Sequence, residues 1–272
     1  MPTGRVGLLG WPLGHSVSPA MHNAAFEALG IPWRYSAYPC APADLPTHVA
    51  RLLNEEQVAG LNVTVPHKQA VLALPQVTAI APEVEAIGAA NTLTRQPDDT
   101  LHASNTDWRG FAEDLAAHAV AVTGQLCLVL GTGGSAKAIA YALKQLGAGP
   151  VISVSRAANP PDVCGYGDLA ELTEQAGLIV NCTPVGMSPA VNASPWPEGV
   201  AFPAQVVLYD LIYNPPRTRL MVQAEAAGAR AIGGLGMLVR QGALAFEAWT
   251  GRRPPLDVMA AAAERALGLR PN

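Results

Sequence analysis

Residues 128–140 read LVLGTGGSAKAIA, an apolar run that passes through a glycine-rich turn straight into a helical pattern. Few strings restrict a fold as strongly. A buried strand that feeds a helix in this way points to a parallel sheet with helices packed on it, an α/β architecture. Gly131, Gly133 and Ala136 fit the spacing G-x-G-x-x-G/A, and Thr132, Gly134 and Ser135 complete the turn. Small residues there let the backbone approach a pyrophosphate, whose charge meets the amides at the helix start. The same string would also close a tight turn that holds no ligand.

The rest of the chain repeats the theme. Short apolar runs alternate with helical patterns: RVGLLG as a strand, SPAMHNAAFEALG as a helix, WRYSAYP as a strand, ADLPTHVARLLNEE as a helix. Ser18 is the expected N-cap of the first helix, Pro19 its first turn and Gly30 its stop. GLNVTV alternates apolar and polar residues, as a strand with one polar face does. A helix is expected to begin near Pro66 and another in TAIAPEVEAIG, followed by strands in NTLTR and LHASNT. QLCLVL then opens a second series with strands in VISVS, LIVNC and VVLYDLIY, and GMLVRQGALAFEAWTG and LDVMAAAAERALG end the chain as helices. The expected fold is α/β and two-lobed. An N-terminal α/β lobe with a mostly parallel sheet is built from residues 1–105 and 236–272, and a Rossmann-type nucleotide lobe from 106–235, with a cleft between them.

Composition narrows the function. A formal charge of −4 with no long like-charge run offers nothing for nucleic acid. No stretch approaches the roughly 18 apolar residues of a membrane span, and the first residues lack the pattern of a signal peptide. Cys40, Cys127, Cys164 and Cys182 are scattered, which suits a reducing, cytoplasmic setting. The six histidines, His15, His22, His48, His67, His102 and His118, show no H-x-x-x-H or H-E-x-x-H spacing, so no catalytic metal is expected.

The strand after the glycine loop's helix ends in Ser155 and Arg156, and no acidic residue follows until Asp162. An NAD site ordinarily has Asp or Glu there for the ribose 2′-hydroxyl, whereas an arginine accommodates a 2′-phosphate. NADP is therefore expected over NAD, although an arginine at a strand end is also an ordinary surface residue. Polar residues gather at expected strand ends elsewhere: Ser16, Ser18, Asn62, Thr64, Asn91, Asn105 and Asp107. Each could merely cap a helix or satisfy a turn. Together, rich in hydroxyls and amides, they suit a small polyhydroxylated acid. Lys68, Lys137 and Lys144 are the only lysines, all other cationic side chains being arginine. A lysine in such a chain can stand where a transferable proton is needed.

Taken in order, GHSVSPAMHN, GLNVTVPHK, IGAANT, SNTD, GTGGSAKA, NCTPVGM, YDLIYNPPRT and GLGMLVRQGALAF resemble the motifs of the shikimate dehydrogenase family over nearly the whole chain. The resemblance implies NADPH-dependent, reversible reduction of 3-dehydroshikimate to shikimate in aromatic amino-acid biosynthesis, by a monomer or homodimer. It implies that Ser16 and Ser18 bind the substrate carboxylate and that Asn62, Thr64, Asn91, Asp107, Tyr213 and Gln241 surround the ring. Lys68 and Asp107 would form the catalytic pair, and Thr183, Leu211, Gly234 and Met237 would lie near the nicotinamide. Two departures stand out. The family's Asn-Arg-Thr is here Ser155-Arg156-Ala157, so one clamp on the 2′-phosphate is missing, and its Gly-Asp/Phe-Asn-Thr-Asp is Ala103-Ser104-Asn105-Thr106-Asp107. A quinate/shikimate dehydrogenase with broader NAD and NADP use, and a non-catalytic dinucleotide sensor, stay open as alternatives.

Overall fold

The structure, a computed structural model, describes residues 4–14, 16–158 and 163–269. His15 and Asp162, named above, lie outside them. The chain divides into two compact units, residues 1–110 with 239–272, and residues 111–238.

In the first unit β1 (Gly4–Gly10) leads through α1 (Ser18–Ala28) to β2 (Trp33–Pro39), which pairs with it in parallel. After α2 (Leu45–Asn54) comes β3 (Gly60–Val63), parallel to β1 on its other side. β4 (Val77–Ile80), α3 (Pro82–Ile87), β5 (Thr92–Arg95) and β6 (Leu101–Ser104) complete a six-stranded sheet in the order β2-β1-β3-β5-β6-β4. Only β5 runs antiparallel to its neighbours, so the sheet is mixed and mostly parallel. Its core includes Leu9, Leu52, Leu61, Val63, Leu93 and Leu101.

The second unit holds a fully parallel sheet. α4 (Asp107–Ala117) leads towards β7 (Leu126–Leu130), and α5 (Gly134–Gln145), β8 (Val151–Val154), β9 (Val163–Cys164) and α6 (Leu169–Leu172) follow. β10 (Ala176–Asn181), β11 (Val207–Asp210), α7 (Arg219–Ala226) and β12 (Arg230–Gly233) complete it; α8 (Leu235–Thr250) begins there but belongs mostly to the first unit, as does α9 (Leu256–Ala266), which packs against α1. The strand order β12-β11-β10-β7-β8-β9 is the doubly wound Rossmann arrangement. From β7 the chain winds outward one way, then restarts at β10 and winds the other way, which leaves a switch point between their carboxyl ends.

Several local expectations fail for identifiable reasons. No α-helix begins at Pro66: residues 66–69 turn and a 3₁₀ segment covers only Ala70–Ala73. Pro75 explains the stop, because the residue before a proline is forced out of the helical region, and Leu74 is extended at ψ 134°. TAIAPEVEAIG is a strand and a helix, not one helix. Pro82 starts α3 and holds Ala81 extended, while Gly88 closes the helix in the left-handed region at φ 69°. β3 forms the expected strand, and all four of its residues are buried in the middle of the sheet. Ser18 is the first helical residue and not the cap, and its backbone N–H donates to the Ser16 hydroxyl at 3.3 Å. α4, α6, α7, β9 and β12 were not expected. No helix among the described residues is long and apolar enough to cross a membrane.

His22 on α1 is fully buried, with neither ring nitrogen hydrogen-bonded. Its ring stacks on Tyr35 at 4.2 Å and 7°, with Phe246 and Trp249 close by. Burial alone pushes its pKa down from 6.5 to about 3. A group whose folded pKa is depressed takes up a proton only at a cost to the fold, so stability is intact above the unfolded pKa of 6.5 and declines as pH falls towards about 3. At roughly 1.4 kcal/mol per pH unit, acidification from 6.5 to 4.5 should cost about 2–3 kcal/mol through this residue. Urea unfolding of the native chain and of a His22→Leu variant across that range should show the steeper loss only with histidine present.

Candidate active site

The buried ion pair of the first unit is assembled from a turn and a helix start. Lys68 Nζ donates to Asp107 Oδ2 at 2.6 Å, with 12% and 7% of the two side chains exposed. Charges so far from water need fixed partners, and Asn91 provides one. Its Nδ2 donates to Asp107 Oδ1 at 2.8 Å, to Thr106 Oγ1 at 3.0 Å and to Gln241 Oε1 at 3.2 Å, two hydrogens serving three acceptors. Its Oδ1 accepts from the Thr106 N–H at 2.7 Å and from the hydroxyls of Thr92 and Thr106 at 3.1 and 3.2 Å. The main chain locks the arrangement: the Lys68 carbonyl accepts from Ala90 N–H at 2.8 Å, and Asn91's from Val63 N–H at 2.8 Å. Asn105 caps α4, its Oδ1 accepting the Asp107 N–H at 3.0 Å while its Nδ2 holds the Ala89 carbonyl at 2.9 Å.

The other substrate-side candidates differ in their surroundings. Asn62 is 5% exposed and bonded inwardly: Oδ1 accepts from Tyr35 OH at 2.9 Å, and Nδ2 donates to the Asn91 carbonyl and to Thr92 Oγ1, both at 3.3 Å. Thr64, just past β3, and Ser16 are half-buried, and Ser18 is buried at the start of α1. Gln241 joins the Asn91 network from α8. Tyr213 belongs to the second unit, three residues past β11. The structure thus brings Lys68, Asp107, Asn91 and Gln241 into one bonded group. It also reveals members that were not singled out, Thr92 and Thr106. Their signal was present: Asn-Thr occurs as Asn91-Thr92 and again as Asn105-Thr106, and the two threonine hydroxyls meet at 3.4 Å.

The second unit carries the candidate cofactor residues at the carboxyl ends of its strands. Gly131 follows β7 with φ 108°, a left-handed conformation that side chains other than glycine's resist. Gly133 stands at the N-cap of α5, with no side chain to occupy the first-turn amides and open space where a Cβ would point. Gly134, Ser135 and the buried Ala136 begin that helix, with Thr132 exposed beside them. This cradle fits a pyrophosphate. Ser155 and the exposed Arg156 follow β8, where a 2′-phosphate would lie, and Ser155 Oγ accepts the Ala157 N–H at 3.4 Å. Thr183 follows β10, and Gly234 backs onto the Leu211 carbonyl so closely that a Cβ would stand 2.1 Å from its oxygen. Met237 is buried in the first turn of α8.

The shikimate dehydrogenase substrate binding domain matches residues 8–93, and the shikimate 5′-dehydrogenase C-terminal domain matches residues 234–264. The chain is 39% identical to the shikimate dehydrogenase (NADP+) of Symbiobacterium thermophilum, over 98% of this chain and 96% of that one. The crystal structure of shikimate 5-dehydrogenase from Thermus thermophilus with NADP(H) and shikimate superposes with a TM-score of 0.86 at 37% identity, covering 97% and 99% of the two chains. That of Listeria monocytogenes shikimate 5-dehydrogenase with shikimate and NAD gives 0.82 at 28% identity, covering 94% and 95%.

Replacing Asn91 with alanine would leave Asp107 Oδ1 and the Thr106 N–H short of a partner in a dry site. A cost of about 2–4 kcal/mol is expected. Thr92→Val, which removes one donor to Asn91 and one long acceptor contact for Asn62, should cost less, about 1–2 kcal/mol. Urea midpoints of the two variants measure the difference.

Proposed function

The chain belongs to the shikimate dehydrogenase family, and from that premise we propose that it reduces 3-dehydroshikimate to shikimate, reversibly, with NADPH as reductant. The observation that carries the reading is the Lys68–Asp107 pair, two oppositely charged groups at 2.6 Å held by an amide that also grips Gln241. The first unit is the substrate-binding domain in this reading, and the second is the NADP-binding domain. Ser16 and Ser18 receive the substrate carboxylate, and Asn62, Thr64, Asn91, Asp107, Tyr213 and Gln241 surround the ring and its hydroxyls.

Bound NADPH supplies the hydride that reaches the ketone carbon. The chain's own task is the oxygen. As the carbonyl becomes an alkoxide, the Lys68 ammonium donates a hydrogen bond to it and then the proton, leaving a neutral amine that solvent reprotonates. An ammonium carries three donors, so it can hold Asp107 and also reach a substrate oxygen. Asp107 keeps the ammonium aimed, and Asn91 and Asn105 keep Asp107 from turning, so little reorganisation is needed when charge develops. In the second unit the glycine loop and the start of α5 take the pyrophosphate, and Arg156 takes the 2′-phosphate. Thr183, Leu211, Gly234 and Met237 border the nicotinamide half. The enzyme acts in the cytoplasm, as a monomer or homodimer, with no nucleic-acid or membrane partner.

The single arginine at the end of β8 favours a second reading, a quinate/shikimate dehydrogenase that also accepts NAD. Turnover of shikimate and of quinate, each with NAD+ and with NADP+, separates the two.

Lys68→Ala should lower kcat by about 10²- to 10⁴-fold. Near-normal turnover with saturating shikimate would defeat the assignment. Arg156→Ala should raise the KM for NADP+ by roughly 10- to 100-fold, the worth of a charge-assisted hydrogen bond, and leave that for NAD+ almost unchanged. Steady-state kinetics with both cofactors give the comparison.

A further inference from the structure

Two polar residues with no exposed surface, and no part in the scheme above, face each other in the second sheet. Asn181 ends β10 and Asp210 ends β11, directly opposite in register. The Asn181 amide donates to Asp210 Oδ1 at 2.9 Å. Each also closes a turn over the end of its own strand. Asn181 Oδ1 accepts from the N–H and the hydroxyl of Thr183 at 3.0 and 2.8 Å, and Asp210 Oδ1 accepts from the Ile212 N–H at 3.1 Å. From the far side Thr218, the N-cap of α7, donates its hydroxyl to Asp210 Oδ2 at 2.7 Å while accepting the Met221 N–H at 3.2 Å. Beyond Thr183, its hydroxyl accepts the Val185 N–H at 3.3 Å. The run of bonds from α7 to Val185 is unbroken.

A carboxylate in such a place is costly. Burial pushes the Asp210 carboxyl above the usual carboxylate range, opposed by the bonds from Thr218, Ile212 and Asn181. Two apolar residues of similar size would hold the strand ends more cheaply. What they could not do is dictate where the N–H and hydroxyl of Thr183 point. Thr183 stands at the carboxyl edge of the sheet, where a doubly wound fold receives its dinucleotide. It also adjoins the glycine loop: a Cβ on Gly131 would lie 3.4 Å from its Cγ2.

We propose that Asn181 and Asp210 are positioning residues, a clasp that fixes Thr183 and the 183–185 turn against the nicotinamide half of the dinucleotide. The proposal rests on the cofactor reading given above. It separates the two halves of the cofactor, because the adenosine 2′-phosphate half meets the glycine loop and Arg156 and does not depend on the clasp.

Calorimetric titration of the full chain with NADPH, and with 2′,5′-ADP, which lacks the nicotinamide half, tests it. Asn181→Ala should weaken NADPH binding about tenfold or more and change that of 2′,5′-ADP less than about twofold. Asp210→Asn keeps the Oδ1 acceptor and lets the Thr218 hydroxyl accept where it donated, so it should bind NADPH within about threefold of the native chain. If the alanine variant does not fold, Asn181→Leu preserves the packing and carries the same comparison. Equal weakening of both ligands, or of neither, overturns the clasp while NADPH binding by the native chain upholds the cofactor reading. A native chain that binds neither ligand overturns the cofactor reading and the clasp with it.

Discussion

A carboxylate and an ammonium can sit together away from water only if something stops each from seeking solvent, and in the first unit that restraint is the Asn91 side chain. It grips Asp107 Oδ1, which leaves Oδ2 to hold Lys68. Through Thr92 and Thr106 it is tied to β5 and to the start of α4, and through Gln241 to α8. Elements distant in sequence therefore share one amide. The paired charges offset much of one another's desolvation, and the network supplies the orientation that Coulomb attraction lacks. A salt bridge free to rotate would serve stability as well; one held at both carboxylate oxygens keeps the ammonium in a single place.

The two units use the same local device to make such places. A strand that leaves its sheet has N–H groups with no ladder partner, and those groups must still be satisfied. Here short polar side chains reach forward two residues to meet them. Asn105 takes the N–H of Asp107, Asn181 that of Thr183, Asp210 that of Ile212, and Ser16 that of Ser18 at the start of α1. The carboxyl ends of parallel strands are also where open α/β sheets receive ligands. The residues that solve the backbone's problem thus stand beside those with free work to do, which is why turn capping and ligand binding were inseparable in the sequence.

That ambiguity explains what could be read from the chain and what could not. The β7–glycine loop–α5 unit was legible because strand, turn and helix are contiguous, and the largely parallel pairing followed from the alternation it belongs to. Proline effects were legible in principle but misweighed: Pro75 and Pro82 each forbid helix at the preceding residue, and this overrode the apolar periodicity of residues 66–87. α7 escaped notice although Thr218 and Gly228 bracket it, because NPPRT reads first as loop. Asn62 shows a deeper limit. Its alternation with Leu61 and Val63 marked a strand with one polar face, while the structure makes β3 central and bonds the amide to Tyr35, Asn91 and Thr92. Periodicity reports which side chains share a face, not whether that face is wet. Nor could spacing reveal that His22 would lie unbonded on Tyr35.

The scarcity of lysine gains its meaning from the geometry of position 68. A guanidinium is planar, presents its donors in a fixed fork, and does not give up a proton in proteins. At a 2.6 Å contact with Asp107 it would form a good ion pair and a poor proton donor. An ammonium is compact and tetrahedral. It can hold Asp107 with one N–H and address a substrate oxygen with another, and it can lose a proton and regain one from water. Arginine serves where fixed charge suffices: Arg51 bonds Glu56 and Arg95 bonds Asp99 near the surface, and Arg230 takes the His118 carbonyl. In the proposed reaction the difference is chemical: a ketone oxygen beside position 68 would need a cation that can give up its proton, which a guanidinium cannot supply.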